Sequence, residues 1–154
     1  RSGLHIPRVL RCEQMSKPTK FWRGVWVGCT HAQLMLPAAK DALARVFDKW
    51  RPEVIGHLGD YIDTTALRSG ADGTADEGSD IGLDLDAGLG FLDWYFKRPA
   101  RLKVLALGNH DVRPDKLLAH PSAKVRYLAE CIKDRTESTF KRLGLRVLPY
   151  DIKH

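Results

Sequence analysis

Three short segments hold the side chains best suited to chemistry: "CTH" at 29–31, "GDYID" at 59–63 and "GNHD" at 108–111. Together they supply His31, Asp60, Asp63, Asn109, His110 and Asp111. Imidazole nitrogens, carboxylate oxygens and an amide oxygen suit divalent-metal ligation beside a proton donor. Singly each segment is weak evidence, because a Gly-Asp pair after a strand is common and one histidine at a strand end is usually structural. Their shared position strengthens the case. Each closes a short apolar run: "GVWVGC", "EVIGHLGD" and "RLKVLALG". Runs of that length and composition read as buried strands.

Helices are expected between the strands. Pro37 suits a first helical turn, and Leu43, Val46, Phe47 and Trp50 follow at helical spacing up to Pro52. Leu85, Leu89, Leu92 and Phe96 form a second stripe. Ser122 is placed to cap a long helix with the stripe Val125, Leu128, Ala129, Ile132, Thr136, Phe140 and Leu143, closed by Gly144. "LRVLPY" then opens a fourth strand, and no internal repeat is visible. Arg68 to Gly82 reads as a long exposed loop of the kind that is functional or mobile. Asp80, Asp84 and Asp86 lack the spacing of a calcium-binding EF-hand loop. Alternating strands and helices predict an α/β fold with a mainly parallel sheet flanked by helices. In such sheets ligands bind beyond the carboxyl ends of the strands, which brings the three segments to one crevice.

Residues 1–23 read as an irregular basic arm before a single domain over 24–154. Charge is unevenly spread along the chain. Residues 1–24 carry six basic groups and one acidic, 53–93 carry one basic and ten acidic, and 97–154 carry fourteen basic and six acidic. An acidic centre between basic flanks suits a cation site with a phosphate-bearing ligand around it, and equally a polarised solvated surface. Cys12, Cys29 and Cys131 make neither a disulfide framework nor a metal knuckle, so they read as reduced thiols in a cytoplasmic setting. No apolar run approaches the roughly eighteen residues of a membrane span, and no secretory leader is expected.

The order "CTH … GDYID … GNHD" resembles the first three blocks of the calcineurin-like metallophosphoesterase superfamily: DxH, GDxxD or GDxxR, and GNH followed by Asp or Glu. A narrower similarity points to relatives encoded by bacterial viruses, with the host cytoplasm as the setting. The resemblance implies half of an α/β/β/α sandwich and a two-metal site. Asp60 would bridge both ions, His31 would bind the first and Asn109 the second. His110 would act as general acid or phosphate contact, held by Asp111, with Asp63 as support. Mn ranks first as the metal, with Zn, Fe, Ni or Mg as alternatives. Such ions lower the pKa of bound water for attack on phosphorus.

Two departures stand out. Cys29 occupies the family's aspartate position. It is either a thiolate ligand, which disfavours Mn or Mg, or a small buried residue ending its strand, which leaves the first metal weakly held. The family's later ligands, a lone histidine and a GHxH block, have no counterpart before the sequence closes at "LPYDIKH". His5, His57, His120 and His154 all read as structural or unsuited. The expectation is therefore the N-terminal half of a metallophosphoesterase, with an open fourth strand prone to pair with another chain. The leading functional expectation is a metal-dependent phosphodiesterase acting on nucleic acid. The others are a degenerate scaffold that binds nucleic acid or protein, and a phosphomonoesterase.

Overall fold

A computed structural model describes residues 21–150. Four strands, β1 (Gly24–Val27), β2 (Val54–His57), β3 (Leu102–Ala106) and β4 (Arg146–Leu148), form one sheet in the order β1-β2-β3-β4. Every pairing is parallel, in the register Val25↔Ile55, Ile55↔Lys103 and Leu105↔Val147. The connections carry α1 (Pro37–Trp50), α2 (Ile81–Phe96), a short α3 (Arg113–Leu117) and α4 (Ala123–Leu143). This is the α/β parallel architecture expected of half a metallophosphoesterase.

Sequential strand order with same-handed crossovers puts the helices on one side of the sheet. The core bears this out: Phe47 of α1, Leu85, Leu89, Leu92, Tyr95 and Phe96 of α2, and Ile132 and Phe140 of α4 pack on Ile55 and Leu105. On the opposite face Val54 and Val104 are buried. There the half-exposed Trp26 indole lies over Gly56, where a Cβ would come within 2.0 Å of the ring.

Several expectations need correction. α1 buries only Phe47 fully, while Val46 and Trp50 face outward, because α2 and the sheet cover only one side of that helix. The expected exposed loop ends earlier than Gly82: Asp80 caps α2 by accepting the Leu83 N–H, so Ile81 and Gly82 are helical. Ala71, inside that loop, is buried. Ser122 occupies the N-cap position of α4, but its side chain makes no capping hydrogen bond among the described residues. The carbonyls ahead of it, of His120 and Pro121, are instead met by the Arg126 guanidinium. The basic arm up to residue 20, with His5 and Cys12, and His154 at the other terminus lie outside the described residues. Among the described residues no helix is long and apolar enough to cross a membrane.

Candidate metal centre

The segments after β1, β2 and β3 run side by side. Leu58 N–H donates to Val27 O at 2.7 Å, Cys29 N–H to Gly59 O at 2.9 Å, and His31 N–H to Asp60 O at 2.9 Å. β1 thus continues its pairing with β2 through the chemistry-bearing residues. The backbone is held in unusual shapes to do so. Cys29, His31, Asp60 and Thr64 all have positive φ, at 50°, 38°, 57° and 49°. Left-handed conformations cost non-glycine residues, most of all a β-branched threonine, and four together mark a site whose surroundings over-determine its shape.

Gly59 and Gly108 let the second and third segments touch. A Cβ at Gly59 would fall 2.5 Å from the Gly108 backbone nitrogen, and one at Gly108 would fall 2.1 Å from Asp60 Oδ1. Across that contact His110 N–H donates to Asp60 Oδ1 at 3.0 Å. His31, Asp60 and His110 consequently offer ligand atoms lying within 4.8 Å of one another. The two imidazole rings meet edge to face, with centroids 4.7 Å apart.

Asp63 stands behind the histidines. Its Oδ1 lies 2.9 Å from His31 Nδ1 and 3.2 Å from His110 Nδ1. The His31 contact is close enough for an ion pair but out of line for a hydrogen bond, so His31 Nδ1 is a buried polar atom without a hydrogen-bond partner among the described residues. Burial works against the Asp63 charge, but the Thr65 hydroxyl and the neighbouring His31, His110 and Arg113 keep its pKa below the ordinary value. His110 Nδ1 is also 2.6 Å from Asp63 O, while Arg113 Nη2 approaches His110 Nε2 at 3.2 Å. A guanidinium can only donate, so Nε2 accepts and Nδ1 carries the proton toward Asp63.

The expected pairing of Asp111 with His110 is not what the structure shows. Asp111 Oδ2 accepts the N–H groups of Asp60 and Gly108, both at 2.8 Å, and Oδ1 accepts that of Tyr61 at 3.1 Å. Asp111 therefore clasps the turn that carries Asp60, and Asp63 is the carboxylate beside His110. Burial, opposed by those backbone donors, raises the Asp111 pKa to about 6. Asn109 is exposed on the same turn as His110. Cys29 is exposed rather than buried at its strand end, and its Sγ lies 3.9 Å from Asp60 Oδ2.

Sequence reasoning missed Asp84, Arg113 and the role of His57. Asp84, buried in the first turn of α2, accepts the N–H groups of Asp63 (3.1 Å) and Thr64. An acid flanked by Leu83 and Leu85 on an apolar helix was the available signal. Thr64 Oγ1 donates in turn to His110 O at 2.9 Å. His57 is a core residue, as its strand position implies. It accepts the Gly59 N–H through Nδ1 (3.2 Å), which leaves Nε2–H to donate to Thr30 Oγ1 at 3.0 Å. Burial lowers its pKa to about 4, so this imidazole is neutral and bolts the first segment to the second.

A scan against protein-family models matches residues 25–149 to the calcineurin-like phosphoesterase family. The chain belongs to that family. No curated protein and no solved structure matches it. Membership makes this a phosphoester-hydrolase domain of a family that uses divalent metals. The residues present fit such an ion by type and placement: two imidazoles and a carboxylate offer ligand atoms within 4.8 Å of one another.

Proposed function

We propose that this calcineurin-like phosphoesterase hydrolyses phosphodiesters, with nucleic acid as the substrate class, at a centre loaded with divalent metal. The convergence of His31, Asp60 and His110 at the carboxyl ends of three adjacent strands carries the reading. Asp60, with two oxygens, is suited to bridge two ions. His31 and Cys29 stand beside it, and Asn109, on the turn of His110, would supply a neutral amide oxygen. A divalent ion bound there supplies Lewis acidity toward phosphoryl oxygens and lowers the pKa of water at the site.

The chain's own residues do the rest. Asp63 orients His31 and His110. His110, its Nδ1 directed at Asp63, would donate from Nε2 to the leaving-group oxygen once that nitrogen carries a proton. Asp111 and Asp84 hold the two ends of the Asp60–Thr64 turn so that these side chains keep their spacing. The basic flanks at 1–24 and 97–154 favour a polyanionic substrate over a neutral one.

The test is hydrolysis of bis(p-nitrophenyl) phosphate and of single- and double-stranded DNA, with and without added Mn²⁺ or Zn²⁺. Metal-dependent cleavage is expected in the native protein, with a loss of at least about 100-fold in Asp60→Asn and His110→Ala. Cleavage of p-nitrophenyl phosphate alone would move the assignment to a phosphomonoesterase. Metal binding without cleavage of any ester would end the enzymatic reading.

A further inference from the structure

Arg113 is a half-buried cation at the edge of the metal centre, and its partners are all uncharged. Nη1 donates to Asp63 O at 2.8 Å and to Thr64 O at 3.2 Å, and Nη2 reaches His110 Nε2 at 3.2 Å. Several exposed cations have met a carboxylate, among them Arg68 with Asp76, Lys133 with Asp115 and Glu137, Arg135 with Asp86 and Arg142 with Asp93, while Arg126, like Arg113, meets carbonyls. Among the described residues Arg113 forms no such ion pair; the Asp63 carboxylate feels its field but is contacted directly by His31, His110 and Thr65. The two carbonyls and the imidazole use three of the five N–H donors of the guanidinium, which leaves donor capacity for an anion. The guanidinium fork is also held rigid by two carbonyls, so little side-chain entropy remains to be lost when it binds.

We propose that Arg113 is the phosphate-binding residue of this centre, donating from the Nη2 side of its fork to a non-bridging oxygen of the scissile phosphoryl group. The assignment rests on the phosphoesterase reading for its ligand. It adds a recognition element that the three sequence blocks do not contain. Two features support it. The same Nη2 touches His110, so an oxygen taken by Arg113 lies beside the imidazole assigned to the leaving group. The anchoring carbonyls belong to Asp63 and Thr64, so one turn positions both the proton-handling dyad and the anion clamp. A phosphoryl oxygen received there is coupled to His110 by a single guanidinium.

The experiment is calorimetric titration of inorganic phosphate into the Mn²⁺-loaded protein for native, Arg113→Gln and Arg113→Lys forms. Mn²⁺ titration, thermal melting and bis(p-nitrophenyl) phosphate kinetics are measured alongside. Gln keeps an amide donor for the carbonyls but no charge. Arg113→Gln is expected to bind phosphate roughly 10- to 100-fold more weakly, with a matching rise in KM and a smaller fall in kcat. Its Mn²⁺ affinity and melting temperature should stay native, and Lys should fall between the two. Native phosphate affinity in Arg113→Gln would overturn the proposal. So would parallel losses of phosphate, Mn²⁺ and melting temperature, which would make Arg113 a brace for the turn. A native protein that binds phosphate through Arg113 yet hydrolyses no ester would uphold the clamp and end the catalytic reading; one that binds no phosphate would overturn the clamp.

Discussion

Cys29 shows how much one atom type can decide at this site. Its thiol is solvent-exposed, its φ of 50° is one an ordinary strand-terminal residue would not adopt, and its sulfur faces Asp60 Oδ2 at 3.9 Å. A thiolate in that place is a soft donor beside hard ones, and it favours zinc, iron or cobalt over magnesium. Loading the protein with Co²⁺ should therefore produce a sulfur-to-cobalt charge-transfer band in the near ultraviolet, absent from Cys29→Ser. A native spectrum without that band would leave an imidazole–carboxylate site and restore manganese as the leading metal. Either result is read without measuring activity.

At the level of elements, the loops after β2 and β3 are one unit. Asp111 from the β3 side holds the backbone of Asp60 and Tyr61, and Asp84 from α2 holds that of Asp63 and Thr64. Gly59 permits the unit to form, at φ 95° and in backbone contact with Gly108. Gly59→Ala adds both left-handed strain and a backbone clash, and it should destabilise the fold by about 2–4 kcal/mol in urea unfolding. It should also weaken metal binding, because the shift needed to relieve the clash displaces Asp60. Gly73 is the natural control: its φ is also positive, at 73°, but an added Cβ meets nothing within 4 Å. Gly73→Ala should show the strain alone, with native metal affinity.

Across the whole molecule, stability against pH reports how His57 ties the first segment to the second. Its pKa falls from 6.5 to about 4 on burial, so the unfolded chain binds the proton more readily. Stability from the neutral imidazole is complete above pH 6.5 and is lost as the pH falls toward 4, by about 3 kcal/mol in total. Asp111 acts with the opposite sign, since its raised pKa of about 6 makes the folded state the better proton binder between 3.8 and 6. The two offset in the native protein, so the informative quantity is the stability difference between native and His57→Gln, where the Asp111 contribution cancels. That difference should shrink from pH 7 to pH 4.5; a constant gap would mean that His57 is not held neutral.

Strand length, apolar runs and helical stripes were legible in the order of residues, because a parallel sheet buried by helices demands β-branched segments and periodic apolar faces. They located β1 to β4, the three long helices and the crevice to which His31, Asp60 and His110 come. The sequence did not determine which carboxylate serves which purpose. Asp63 and Asp111 are equally near the motifs along the chain, and only the fold directs Asp111 to backbone N–H groups and Asp63 to the imidazoles. Asp84 and Arg113 join the site from α2 and from the start of α3, so no local spacing announced them. The five-residue α3, like the outward-facing half of the α1 stripe, was settled by packing. Element type follows from local periodicity, whereas a polar side chain's partner depends on which backbone groups tertiary contacts leave unsatisfied within its reach.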